Sequence, residues 1–108
     1  MKTNQIKKHV LFVGLFDKDT KAQKIGTLAA RDILQNILLS SGLDGATLSD
    51  ATGIYKHENG SFVIEPSIRI EILFSTDSQI RKICNQIKIA LNQESVAVET
   101  QITDSRLF

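Results

Sequence analysis

Apolar positions recur with two different periods along the chain, and the alternation of those periods sets the order of elements. From His9 to Phe16 the run His-Val-Leu-Phe-Val-Gly-Leu-Phe is apolar at consecutive positions. A strand apolar on both faces needs cover on both, so this run predicts a central strand. Between Asp19 and Gly42 the period lengthens to three and four at Ala22, Ile25, Ala29, Ile33 and Ile37, widened by Leu28, Leu34 and Leu38. That stripe predicts an amphipathic helix, capped by Asp19 or Thr20 and stopped at Gly42. Residues 46–56 carry a weaker β pattern. Asn59-Gly60 then separates Ile54-Tyr55-Lys56-His57 from Phe62-Val63-Ile64. Asn-Gly suits the positive φ angles of a type I′ turn, which predicts a hairpin.

Beyond it, Ile68, Ile70, Ile72 and Phe74 alternate with Arg69, Glu71 and Ser75, giving a half-buried strand over 67–75. Pro66 has no N–H to offer a neighbour, so it is expected to divide the return strand, leaving 54–65 as an arm beyond the main sheet. Thr76 or Asp77 caps a second helix whose Ile80, Ile83, Cys84, Ile87 and Leu91 share one face. Val96, Val98 and Ile102 alternate in a final strand. The order β-α-β-β-α-β with right-handed crossovers predicts a ferredoxin-like α+β sandwich, a four-stranded antiparallel sheet with two helices on one face. One domain is expected over 1–108, with 1–7 frayed. The helices cover one face only, so either Leu11, Val13 and Leu15 or Phe12 and Phe16 are left on the open one. An apolar patch there implies a partner surface, and a homo-oligomer (trimer or dimer) is expected through that face, with the arm reaching a neighbour.

Charge narrows the partners. Thirteen basic and 12 acidic residues give a net charge of +1, which disfavours sequence-independent attraction to nucleic acid or anionic membrane. Lys2, Lys7 and Lys8 before Val10–Phe16 imitate a secretion signal, but the run is short and meets Asp17. No stretch approaches the roughly 18 apolar residues of a membrane span, so a cytoplasmic location is expected. A lone cysteine, Cys84, excludes an internal disulfide and a cysteine-based zinc cluster; on the apolar stripe it reads as a small buried hydrophobe. The six glycines form no phosphate-binding loop, so no cofactor is named.

Candidate chemistry concentrates around the hairpin. Asp50 and Thr52 share one strand face and can hydrogen-bond a polar ligand, or merely satisfy backbone groups; Tyr55 lies on the other face. Glu65-Pro66-Ser67 lies opposite them, and Glu65 reads equally as a general base or ligand carboxylate and as a charge that guards a sheet edge. A metal site would need both His9 and His57 plus Glu58, and surface histidines are the commoner explanation, so no metal is expected. Gln93-Glu94-Ser95 either turns the chain or meets Asp50 or Glu65.

The stretch Thr47-Leu48-Ser49-Asp50-Ala51-Thr52-Gly53-Ile54-Tyr55, with Gly60, Glu65-Pro66-Ser67 and Gln93-Glu94-Ser95-Val96, resembles an uncharacterised family of small bacterial domains with TxxDAxGxW, EPS and QESV segments. Tyr55 stands where that family carries tryptophan. The resemblance spans roughly residues 45–98 and implies a fold and a shared surface, not an activity. The topology and the hairpin Ile54–Gly60 are also similar to CutA and PII-type trimers, a likeness that implies clefts between chains. The leading expectation is a ligand-binding or regulatory module with sites between subunits formed by Asp50, Thr52, Tyr55, Glu65 and Ser67. The alternatives are a small enzyme using Glu65 or Asp50 as base, assisted by Tyr55 or His57, and a protein-interaction subunit in which Leu107-Phe108 is a contact.

Overall fold

The computed structural model describes residues 5–108. Its elements follow the expected order: β1 (Gln5–Gly14), α1 (Thr27–Leu39), β2 (Thr47–Lys56), β3 (Phe62–Leu73), α2 (Asp77–Ala90) and β4 (Ala97–Asp104). The strands form one antiparallel sheet in the order β2-β3-β1-β4. This is the ferredoxin-like α+β sandwich. β1 begins at Gln5; residues 1–4, where the expected frayed end starts, lie outside the described residues.

Both helices pack on the face carrying Leu11, Val13 and Leu15 of the β1 segment and Ile68, Ile70 and Ile72 of β3. Against them α1 sets Ala30, Leu34 and Leu38, and α2 sets Ile80, Ile83, Ile87 and Leu91. The stripe of α1 is therefore centred one residue from the sequence expectation: Ala22, Leu28 and Ala29 are exposed. α1 also starts at Thr27 rather than near Thr20. Asp17 accounts for the delay, because its carboxylate accepts the N–H groups of Asp19 and Thr20 and closes a turn where the helix was expected to begin. α2 begins as expected at Thr76, with a full capping box to Gln79.

Pro66 does not divide β3. The Leu15 N–H donates to the Pro66 carbonyl at 3.0 Å, so the nitrogen of Pro66 also faces β1. The only ladder bond forfeited lies where β1 leaves the sheet, opposite Leu15, and the pairing of Thr52 with Pro66 on the β2 side is untouched. Past this point β2 and β3 pair only with each other, from Gly53–Glu65 out to Lys56–Phe62. This arm lengthens the molecule to 53 Å and raises its radius of gyration to 15.0 Å, against about 13 Å for a compact chain of this size.

The open face is not the broadly apolar surface expected. Phe12 and Phe16 take that side and Leu11, Val13 and Leu15 the other, but an ion-pair strip crosses it. Lys8 meets Glu71 at 2.6 Å, and Arg69 meets the same carboxylate at 2.8 Å. Val10 is closed over beside them at 3% exposure, which leaves Phe12 as the exposed apolar ring of that face. Exposed apolar side chains also lie elsewhere: Ile54, Phe62 and Ile64 on the arm face continuous with Ile68, Ile102 on β4, and Leu28, Leu39 and Ile89 on the helices. Leu107 and Phe108 also project into solvent.

His9 corrects another expectation, since it is buried rather than on the surface. Its Nδ1 lies 2.8 Å from the Ser75 hydroxyl and its Nε2 3.0 Å from Asp77. Asp77 can only accept, so Nε2 donates to it, and Nδ1 is paired with the Ser75 hydroxyl. The Asp77 carboxyl is held below its ordinary range by Lys7 first and His9 second. Replacing His9 with leucine leaves the buried Ser75 hydroxyl without its partner. Urea unfolding should report a loss of about 1–3 kcal/mol.

Candidate functional site

A groove of about 850 Å³ opens on the sheet face away from the helices, between the base of the arm, the loop after β1 and the α2–β4 turn. Small residues make its floor: register sets Gly14 beside Ser67, Ser67 beside Ala51, and Glu65 beside Gly53. Phe12, Phe16 and Tyr55 supply aromatic walls, and Lys18 and Lys21 stand on the loop side.

While Asp17 and Glu94 line the loop side of this groove, Glu65 is the carboxylate on its floor. Its Oε2 accepts the Phe16 N–H at 3.0 Å, and its head lies over Gly14, where a β-carbon would come within 2.6 Å of Oε1. The glycine at 14 makes room for the acid, and Gly53 makes room for Ser67 and the Glu65 stem. Tyr55 projects on the same sheet face, two pairs further out. Partial burial pushes its hydroxyl up, and the charge of Glu65 adds to the effect. The phenol therefore stays protonated at neutral pH and can donate a hydrogen bond. His57, on the arm beside it, meets the Tyr55 ring edge-on at 5.6 Å.

Of the five residues picked out in the sequence, Tyr55, Glu65 and Ser67 come together here. Asp50 and Thr52 do not join them: period-two alternation turns them to the helix side, where Asp50 pairs with Arg31 of α1. His9 sits buried beside Ser75, and His57 on the arm, so the two histidines belong to different parts of the fold. No group of three metal-ligating side chains forms among the described residues. Cys84 is half-buried and its thiol is pushed up by that burial. No helix among the described residues is long and apolar enough to cross a membrane.

The loop wall is fastened to the α2–β4 turn. Asn92, held at φ 48°, donates its side-chain amide to Asp17 at 2.8 Å and to Asp19 at 2.9 Å, while its carbonyl accepts the Lys18 N–H. Gln93 donates to the Phe16 carbonyl at 2.8 Å. Sequence reading singled out Gln93 but not Gly14, Phe16 or Asp17. Their signal was present only as a glycine and an aromatic at the end of a strand, and the Glu65 contact that gives them meaning spans 49 residues.

Asp17 is held at about 2 instead of 3.8, chiefly by Asn92 and then by the Thr20 N–H. A depressed folded-state value means that its contribution is complete above about pH 4 and is lost as pH falls toward 2. Acid titration should release the amides of Asp19 and Thr20 in that window, as read by NMR. Asn92→Ala should move the release to higher pH.

No protein-family model matches the chain, and no curated protein does. Solved structures do. A phage SAM lyase in complex with S-methyl-5′-thioadenosine is 24% identical, covers 94% of this chain and 83% of its own, and superposes with a TM-score of 0.66. GlnK of Bacillus subtilis, in a complex with ATP, is 16% identical over 94% of this chain and 85% of its own, with a TM-score of 0.56. CutA of Synechococcus elongatus is 10% identical over 97% and 80%, also at 0.56. These likenesses show the fold alone, shared with a SAM lyase, a GlnK and a CutA structure.

Proposed function

We propose that the groove binds S-adenosylmethionine and cleaves it to S-methyl-5′-thioadenosine, with Glu65 as the working carboxylate and Tyr55 as a neutral hydrogen-bond donor. The observation that carries the reading is a concave site that holds one carboxylate in a fixed place beside a protonated phenol, among aromatic walls. The resemblance to a SAM lyase supports the choice of substrate. S-adenosylmethionine is a sulfonium cation. When the carbon–sulfur bond to the four-carbon fragment breaks, sulfur keeps the bonding pair and leaves as a neutral thioether. The fragment balances the charge by giving up a proton or by closing its own carboxylate onto the vacated carbon. Glu65 attracts the cation on binding and stands as base for the first route. Ser67 and the aromatic rings supply the remaining polar and stacking contacts.

The enzyme is proposed to act as a homo-oligomer. The groove of one chain is open to solvent, and the exposed Ile54, Phe62 and Ile64 of the arm differ from the exposed Ile102 of β4. Two unlike apolar patches on one chain suit a head-to-tail ring, in which the arm of one copy covers its neighbour. A light-scattering mass equal to one chain would exclude this assembly.

Incubation with S-adenosylmethionine followed by liquid chromatography and mass spectrometry tests the activity. S-methyl-5′-thioadenosine should accumulate with protein concentration and time. No release above the protein-free control would remove the lyase reading. A second reading, a regulatory module that binds a nucleotide without turnover, is favoured by Lys18 and Lys21 on the groove wall and by the GlnK–ATP likeness. Under it, ATP at 100 times its dissociation constant stabilises the chain by about 2.7 kcal/mol, and S-adenosylmethionine is left intact.

A further inference from the structure

The carboxylate of Glu65 is held from one side, by the Phe16 main-chain N–H at 3.0 Å, in a segment whose next N–H, Asp17, goes to the Ala22 carbonyl at 2.8 Å. β1 ends at Gly14, and Phe16 keeps only an isolated bridge to Gln23. Its predecessor Leu15 donates to Pro66 but receives nothing back, because proline has no N–H. The segment that presents the Phe16 N–H to Glu65 therefore leaves the sheet just where the sheet's own bonding fails. Gln93 repairs this from outside the strand. Its Nε2 donates to the Phe16 carbonyl at 2.8 Å, and the same nitrogen lies 3.3 Å from the Leu91 carbonyl. Phe16 is thus gripped at both ends, with its carbonyl held by Gln93 and its N–H given to Glu65.

We propose that Gln93 is a positioning residue for Glu65, acting through the main chain of Phe16. The inference rests on Glu65 being the working carboxylate of the groove. Gln93 does not need to touch the substrate: it fixes the direction of the Phe16 N–H, and that bond fixes where the carboxylate points. The neighbouring Asn92 fastens Asp17 and Lys18 independently, so losing the Gln93 amide frees Phe16 without detaching the rest of the loop.

The test compares wild type with Gln93→Leu, which removes the donor, and Gln93→Lys, which restores an N–H donor of similar reach. Amide hydrogen exchange at Phe16 needs no activity and reads the bond to Glu65 directly. Gln93→Leu should speed that exchange about tenfold while leaving the amides of Asp19 and Thr20 and the melting temperature unchanged. In the same variant kcat for S-methyl-5′-thioadenosine formation should fall about tenfold at nearly constant KM, and Gln93→Lys should recover both readings. Unaltered Phe16 exchange in Gln93→Leu overturns the proposal, as does a uniform loss of protection across the sheet. If no form of the protein releases S-methyl-5′-thioadenosine, the lyase reading fails, and the exchange data still decide the role of Gln93.

Discussion

Glu65→Gln should lower the rate of S-adenosylmethionine cleavage by about 10²- to 10⁴-fold, the range that one positioned acid–base group commands. The substitution is nearly isosteric. A glutamine carbonyl oxygen can still accept the Phe16 N–H that Glu65 Oε2 accepts at 3.0 Å, so melting should stay within a few degrees of wild type. What disappears is the negative charge and the capacity to take a proton. S-methyl-5′-thioadenosine is neutral, and its affinity measured by calorimetry should change only a few-fold. Initial rates and calorimetry together therefore separate a loss of chemistry from a loss of the site. A fall in product affinity as large as the fall in rate would mean that Glu65 shapes the groove and does not act on the substrate.

Gly14→Ala should bring about a comparable loss, roughly 10²-fold, by an opposite route. The new β-carbon would lie 2.6 Å from Oε1 and 2.8 Å from Cδ of Glu65. These atoms sit at the end of a flexible side chain, so the carboxylate swings away and the strand does not have to move. Gly14 is not among the positive-φ glycines, and its backbone accepts alanine. Reduced freedom in the unfolded chain contributes about 0.4–1 kcal/mol of stability, while the lost hydrogen bond costs a similar amount. Near-wild-type thermal melting combined with a crippled rate is the expected pair of results. Wild-type turnover in Gly14→Ala would show that the position of Glu65 seen here is not the working one.

The order of elements could be read from periodicity because each helix and strand carries its own apolar spacing, but β1 is apolar on both faces, so its pattern left open which face meets the helices. Three local features resisted. The start of α1 was hidden because Asp19 and Thr20 look like caps, yet Asp17 takes their N–H groups for a turn. The place of Pro66 depended on where β1 ends, which only the register reveals. His9 read as a surface residue because nothing local announces Ser75 and Asp77, 66 and 68 positions away. The greasy open face also failed: Arg69 and Glu71 of β3 take that face, as their alternation with Ile68, Ile70 and Ile72 implies, and Lys8 of β1 reaches Glu71 diagonally, a pairing that only the register shows.

The candidate site was half legible. Tyr55, Glu65 and Ser67 have the same parity across the hairpin and meet on one face. Asp50 and Thr52 have the opposite parity, and alternation alone assigns them to the helix side, where Arg31 meets Asp50. The supporting residues Gly14, Phe16 and Gln93 come from two connections remote from the hairpin, and they gain meaning only as the space and hydrogen bonds around one carboxylate.

The location of the site can be checked without reference to catalysis, by titrating S-methyl-5′-thioadenosine into isotope-labelled protein and following the backbone amides. Saturable shifts should cluster at Gly14, Phe16, Gly53, Tyr55, Glu65 and Ser67. Shifts confined instead to the shallow groove between α1 and β2, around Arg31, Leu43 and Leu48, would contradict the assignment of the hairpin groove as the binding site.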